Sequence, residues 1–184
     1  MSAESSIEVR RRTAADLEAL AGVLGRVHAV DGYPVNLPPD PVAWLSGPRT
    51  RASWVAVTDD DCVIGHVSRS VTEGDQAEAL WTGALSCESE DLGVVKRLFV
   101  DPEYRAAGVG RRLLETVVAD SHRLGLRPVL DVDVGAAPAN GLYLRAGFFV
   151  VGTMELTWTG LGGVFVAHCY AGPQPERASD LPGR

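Results

Sequence analysis

A mixed α/β (α+β) domain with an antiparallel first half and a helical crossover in its second is predicted by three features of the 184 residues. Short runs rich in β-branched residues alternate with stretches whose apolar residues recur at helical spacing. Asp59-Asp60-Asp61 separates two of the early runs, which is a hairpin signal. From Leu92 onward the order is strand, helix, strand, and such a connection packs back onto the sheet as a crossover.

Taken in order, Ile7 to Arg11 reads as a strand. Thr13 with Asp16 forms a capping box, Asp standing in the Glu position, and Leu17, Leu20, Ala21, Leu24 and Val27 then mark an amphipathic helix. Pro34, Pro38, Pro39, Pro41 and Pro48 make residues 31–48 a turn-rich connection, with a brief helix at 42–45 whose first turn tolerates Pro41. Residues 53–58 and 62–71 are the hairpin strands. Residues 72–91 are acidic and poorly periodic, and read as a solvated loop. Residues 92–100 form an apolar strand stopped by Asp101-Pro102. Val109, Leu113, Leu114, Val117 and Val118 make one helical stripe, with Gly125 at its C-terminal cap. Residues 128–134 are a strand, 138–146 a short helix, and 150–159 with 164–170 a closing pair. The count is seven strands.

The length suits one domain, residues 7–170, after a flexible 1–6 and before a loose tail, 171–184, that holds Pro173, Pro175 and Pro182. A 46% hydrophobic and 22% charged composition excludes wholesale disorder. No apolar run approaches the roughly 18 residues of a membrane span, and the N-terminus lacks a signal-peptide pattern, so a cytoplasmic protein without a membrane partner is expected. Cys62, Cys87 and Cys169 are odd in number and lack C-x-x-C spacing; they argue against disulfides and against a metal site, and read as buried small apolar groups. A net charge of −7 disfavours nucleic acid as a partner. Lys96 is the one lysine, so the cations are arginines, whose planar fork suits phosphate.

The informative stretch runs from Val95 to Arg112. A strand ends, a turn follows, and Arg105-Ala106-Ala107-Gly108-Val109-Gly110 leads into a helix whose first N–H groups have no intrahelical partner. That arrangement binds anions: the helix dipole favours negative charge and the two glycines permit close approach. The dinucleotide fingerprint fails because Leu113 stands where a third glycine belongs, and no Gly-Lys-Ser/Thr is present for a P-loop.

The matching pattern is R-x-x-G-x-G after Val100-Asp101-Pro102, and here the chain resembles the GNAT superfamily of N-acetyltransferases. A second match, Leu142-Tyr143-Leu144-Arg145-Ala146-Gly147-Phe148, is similar to the family's Leu-Tyr-x-x-x-Gly-Phe element. The resemblance implies a mixed, mostly antiparallel sheet of about seven strands flanked by helices on both faces, with acetyl-coenzyme A as acyl donor. It assigns Leu98, Phe99 and Val100 to backbone contacts with the acetyl and pantetheine parts. Arg105, Ala106, Ala107, Gly108, Val109, Gly110 and Arg111 would hold the pyrophosphate. Tyr143 is the implied general acid, since a phenol of ordinary pKa about 10 can protonate a thiolate; the alternative is a tyrosine packing its helix on the sheet. Many members carry an asparagine seven residues before that tyrosine, where Ala136 stands. Asn140 is read either as a cofactor contact or as a polar residue at a helix start.

The general base is not assigned. Glu88, Glu90, Asp91, His28, His66 and His168 are candidates, each with a plain alternative as a solvated or core residue. The acidic run from Glu73 to Asp91 would either steer a cationic amine or simply be solvated. Tyr33 and Trp44 are the better candidates for an acceptor pocket, with Trp81 also in view, whereas Trp54 and Trp158 read as core. The expected reaction is acetyl transfer to a primary amine of a small molecule or peptide, against the alternative of a non-catalytic acyl-coenzyme A-binding module. An exposed edge among the C-terminal strands would let two copies pair as a homodimer.

Overall fold

The computed structural model describes residues 6–157 and 164–175. The chain folds as two units, residues 1–70 with 95–117 and residues 71–94 with 118–184. In the first, β1 (Ile7–Arg11), α1 (Leu17–Asp31), α2 (Pro41–Leu45), β2 (Thr50–Thr58) and β3 (Val63–Ser70) follow in order. β1 runs antiparallel to β2 with Val9 opposite Ala56, and β2 antiparallel to β3 with Trp54 opposite Val67. Leu20, Val23, Leu24 and Val27 of α1 bury one stripe against Leu45, Val55, Val57 and Phe99. α1 stops at Gly32, whose φ of 69° lets its N–H return to the His28 carbonyl.

The second unit adds α3 (Glu78–Leu85). β4 (Leu92–Val100) and α4 (Val109–Arg123) contribute residues to both units. β5 (Arg127–Asp133), α5 (Ala137–Arg145), β6 (Phe149–Thr157) and β7 (Val164–Ala171) complete the second. Among the described residues, hydrogen-bonded neighbours follow the order β1-β2-β3-β4-β5-β7-β6, a seven-stranded mixed sheet with five α-helices. β4 and β5 are parallel, Val94 opposite Val129, as the intervening α4 requires, while β7 is antiparallel to both β5 and β6. The predicted fold class is the observed one. Among the described residues no helix is long and apolar enough to cross a membrane.

Three expectations change. The acidic stretch contains α3, and Trp81 is fully buried in the second unit's core with Leu92, Val94 and Val129, so it lines no acceptor pocket. Two of its acidic residues, Asp75 and Glu78, are occupied locally. Asp75 Oδ1 accepts from Ala77 N at 3.1 Å, Glu78 Oε2 accepts from Gly74 N at 2.8 Å, and the Ser89 hydroxyl donates to Glu78. Cys62 is exposed beside the hairpin turn, whereas Cys87 is half-buried and Cys169 buried. Residues 171–173 are tied down, Gly172 N donating to the Pro128 carbonyl at 2.8 Å and His122 Nε2 to the Pro173 carbonyl at 3.0 Å. Trp54 is core as expected. Trp158, residues 1–5 of the start expected to be flexible (1–6) and residues 176–184 of the expected tail (171–184) lie outside the described residues.

The capping box closes as predicted and is reinforced by a strand. Asp16, 5% exposed, accepts from Thr13 N at 2.6 Å and from Arg10 Nη1 and Nη2 at 2.9 and 2.8 Å. The Arg10 hydrogen bond, outweighing burial, lowers the Asp16 carboxyl to a pKa of about 2. A carboxylate held below its ordinary value stabilises the fold fully above about pH 4 and loses that contribution as pH falls towards 2. Asp16→Asn should therefore cost about 2 kcal/mol at pH 7, read as a lower urea midpoint with unchanged slope. An unchanged midpoint would contradict this role.

Candidate functional site

The turn leaving β4 is fixed by a residue whose role the sequence did not reveal beyond its Asp-Pro signal. Asp101, 2% exposed, accepts from Glu103 N at 3.2 Å and from Arg26 Nε of α1 at 3.0 Å, and its own N–H bonds the Ile64 carbonyl of β3 at 2.8 Å. A buried carboxylate needs such partners, and here they pin the chain on the way to α4. Two left-handed residues follow, Ala106 at φ 67° and Gly108 at φ 76°. Left-handed residues interleaved with ordinary ones turn successive N–H groups towards one point, the geometry of an anion nest. The first helical bond of α4 runs from Arg112 N to the Gly108 carbonyl at 3.1 Å, leaving Val109, Gly110 and Arg111 without an intrahelical acceptor.

Ala106 and Ala107 are exposed and Gly108 and Gly110 half-buried, so the predicted loop is open on its outer side. Val109 is core, which leaves only its backbone to offer. Arg105 forks onto Asp31 at the end of α1, Nη1 to Oδ1 at 2.8 Å, and Arg111 lies 3.4 Å from Glu115. Both pairs are exposed, where exchange of a carboxylate for a phosphate costs little. Arg112 instead donates to the Ile7 carbonyl at 2.7 Å.

Upstream, β4 is bent at Arg97, whose φ is 54°. Side chains of β3 bond its carbonyls there, Ser68 Oγ to Lys96 O at 3.0 Å and His66 Nδ1 to Arg97 O at 2.9 Å. Gly65 allows the approach, since a Cβ on it would come within 3.1 Å of the Phe99 carbonyl and 3.0 Å of Leu113. Phe99 is buried, with Leu98 and Val100 half-buried on either side. Of the aromatic pair predicted to line an acceptor pocket, Tyr33 lies 6.5 Å from the Phe99 ring, and the Trp44 ring is 4.7 Å from the Arg97 guanidinium carbon.

His66 leaves the set of candidate bases. Its Nδ1 must carry the proton, because a carbonyl only accepts, so Nε2 faces Arg12 Nη1 at 3.4 Å as an acceptor. Complete burial, and then the neighbouring Arg12 and Arg97 charges, push its pKa down to about 3 against the Arg97 carbonyl's opposing pull. It is a neutral structural imidazole.

In the second unit, Tyr143 is buried on α5 with ring centroids 5.9 Å from Phe148 and 6.0 Å from Tyr170. Asn140 ties the start of the same helix. Its Nδ2 donates to the Asp133 and Ala136 carbonyls, both at 3.0 Å, and Oδ1 accepts from Tyr170 OH at 2.7 Å. Both amide hydrogens are thus engaged, which is the helix-start role weighed in the sequence. Glu88, Glu90 and Asp91 are exposed, and Asp91 caps a 3-10 turn by accepting from Glu88 N at 3.0 Å. His28 Nδ1 donates to the Pro34 carbonyl at 2.8 Å, and His168 Nδ1 lies 3.4 Å from Thr153 Oγ1.

The family model described as Acetyltransferase (GNAT) family matches residues 28–148, a span holding both motifs. The chain belongs to the GNAT acetyltransferase family. It is 38% identical over 68 residues to the IAA acetyltransferase of Azospirillum brasilense, covering 36% of this chain and 44% of that protein. It is 31% identical over 105 residues to the peptidyl-lysine N-acetyltransferase YjaB of Salmonella typhimurium, covering 56% and 54%. The chain thus spans about half the length of these curated relatives. Among solved structures, the phosphinothricin acetyltransferase of Sinorhizobium meliloti in complex with acetyl-coenzyme A superposes with a TM-score of 0.69 at 21% identity, over 96% of this chain and 93% of that one. At that identity the likeness is one of fold.

A buried neutral histidine has a testable pH signature. Because its folded pKa lies below the ordinary 6.5, the unfolded state binds the proton more tightly, so stability is full above about pH 6.5 and falls towards pH 3. The slope reaches at most about 1.4 kcal/mol per pH unit. His66→Asn, whose Nδ2 can replace the Nδ1–H donor, should flatten the decline in urea midpoint between pH 7 and 5; parallel curves for the two proteins would contradict the assignment.

Proposed function

We propose that this protein transfers an acetyl group from acetyl-coenzyme A to a primary amine. The observation that carries the reading is the opening of α4: two left-handed residues and three N–H groups without intrahelical acceptors, in a loop that is exposed at Ala106 and Ala107 and flanked by Arg105 and Arg111. The fit to a diphosphate is chemical, since the site offers N–H donors, a helix dipole and exchangeable guanidinium groups. Family membership supports the choice of acetyl-coenzyme A, and the two curated relatives bear acetyltransferase names, one of them for peptidyl-lysine.

Each part of the chain then has a task. The loop from Arg105 to Arg111 binds the pyrophosphate. The bent end of β4, from Leu98 to Val100, offers backbone groups to the two amides of pantetheine as an added strand would. An N–H of this stretch aimed at the acyl oxygen stabilises the charge that develops there, a contribution on the order of 3 kcal/mol in a site shielded from water. The Tyr143 phenol supplies the proton that the departing thiolate needs. Self-association belongs to the same reading: β6 is an edge strand, and Phe149, Val150, Val164 and Val166 of β6 and β7 are exposed.

Acetyl-coenzyme A at about 100 times its dissociation constant should stabilise the protein by roughly 2.7 kcal/mol in thermal unfolding. Gly108→Glu should abolish that shift, because the new carboxylate meets the phosphates. Tyr143→Phe should keep the shift and slow thiol release, measured across amines, polyamines, amino acids and peptides, about 100-fold. An unchanged melting temperature with saturating ligand would refute cofactor binding. A ligand-induced shift without thiol release from any amine would leave a binding module.

A further inference from the structure

Arginines gather in the first unit away from the phosphate loop. An open cavity of about 300 Å³ is lined by Arg11, Arg12, Ser46, Thr50, Arg51 and Ser53, and among the described residues no carboxylate lines it. Arg97 stands behind this wall: its Nη1 donates to Thr50 Oγ1 at 3.0 Å, and a Cβ on Gly47 would come within 2.9 Å of its Nη2. Among the described residues no carboxylate pairs with Arg12 or Arg97. The acidic group acting on Arg12 is Asp16, already held by Arg10 and Thr13. A larger cavity of about 610 Å³ is lined by Glu18, Asp61, Asp101 and Glu103 with Arg26 paired to Asp101, so its net charge has the opposite sign and disfavours an anion.

The two guanidinium groups are only partly occupied. Arg12 Nη1 donates to the Leu45 carbonyl at 2.8 Å and to His66 Nε2 at 3.4 Å, and Nη2 to Ser46 Oγ at 3.4 Å. Arg97 engages one of its five N–H donors, with Thr50. The Ser53 hydroxyl is buried, with no hydrogen-bond partner among the described residues. Burial lowers the pKa of both arginines, and Arg12 and Arg49 lower that of Arg97 further. A chain of net charge −7 that leaves this charge uncompensated is arranged for an anion from outside.

The backbone adds a separate reason. Arg97 occupies a left-handed conformation at φ 54°, unfavourable for any residue with a Cβ, where glycine would sit without strain. Its neighbour on β4 is Leu98, where the proposed acyl group lies after pantetheine has run back along the strand from the loop. The next position along that path belongs to the acceptor, and Trp44 stacks on the guanidinium there.

We infer that the acceptor amine carries a carboxylate, held by the Arg97 and Arg12 guanidiniums with the Thr50, Ser46 and Ser53 hydroxyls. The planar fork of each arginine matches two carboxylate oxygens. The substrate class is therefore a small amino-carboxylate rather than a polyamine, an assignment that rests on the acetyl-transfer reading.

The test measures binding of product-like probes to the full chain with coenzyme A present: N-acetylated alanine, methionine, phenylalanine and glutamate, each against its own α-carboxamide. At least one acid should bind about 30-fold tighter than its amide. Arg97→Gly, which suits the left-handed backbone, should cut that ratio below about threefold, with Arg97→Lys and Arg12→Lys intermediate, and the acetyl-coenzyme A thermal shift should be kept in all three. Should Arg97→Gly not fold, the two lysine variants carry the same comparison. Equal binding of every acid and amide, or a preference that survives these substitutions, would overturn the carboxylate site. Thiol release from the free amino acids and their amides separates the two readings. Acid preference without release from any amine overturns acetyl transfer and leaves the anion site, while release from both at equal kcat/KM overturns the anion site alone.

Discussion

Helix α4 begins with three N–H groups that no carbonyl of its own first turn can reach, and the chain enters it through two residues held at positive φ. The unpartnered N–H groups, and the left-handed backbone of Ala106 with its Cβ, are unfavourable in isolation. They persist because the surroundings determine them. Asp101 fixes the exit from β4 to α1 through Arg26 and to β3 through Ile64, and the stripe Val109, Leu113, Leu114 and Val117 buries the helix on the other side. The loop between these anchors has little freedom to collapse onto its own donors. On the proposed reading, a diphosphate at that point would satisfy what the fold leaves unsatisfied.

Arginine serves three different ends in this acidic chain, and the partner decides which. Where the partner is a buried carboxylate, as Asp16 for Arg10 and Asp101 for Arg26, the pair holds elements together. Where it is an exposed carboxylate, as Asp31 for Arg105 and Glu115 for Arg111, the pair is weak and open to exchange. Arg12 and Arg97 have hydroxyls, carbonyls, a neutral imidazole and an aromatic face around them, and among the described residues no carboxylate is paired with either. His66 belongs to this third group as its insulator. Kept neutral, it bridges Arg12 and the Arg97 backbone without adding to the charge.

What the sequence made legible were features that depend on near neighbours. The glycines at 108 and 110, the stripe of α4, the Thr13 and Asp16 box and the order of strands all follow from local chemistry, and the fold followed from them. α3 was missed because its acidic flanks look like a solvated loop until Asp75, Glu78 and Asp91 are seen bonding nearby N–H or hydroxyl groups. Trp81 could not be placed without that helix. The neutrality of His66 depends on burial and on arginines 54 and 31 residues away, which no spacing rule reports. The bend at Arg97 had a faint signal in Lys96-Arg97, a charged pair inside an apolar strand. Asn140 shows the reverse case, where both roles fitted the sequence and the hydrogen bonds of its amide favour the structural one.

The most direct measurement is a backbone amide NMR titration of the protein with coenzyme A and, separately, with pantetheine, which lacks the diphosphate. Coenzyme A should move the amide resonances of Ala106 to Arg111 far more than any others in α4 and slow their exchange with water, while pantetheine should leave them in place. Resonances at 106–111 that stay unmoved at saturating coenzyme A, or that respond equally to pantetheine, would contradict a diphosphate site there.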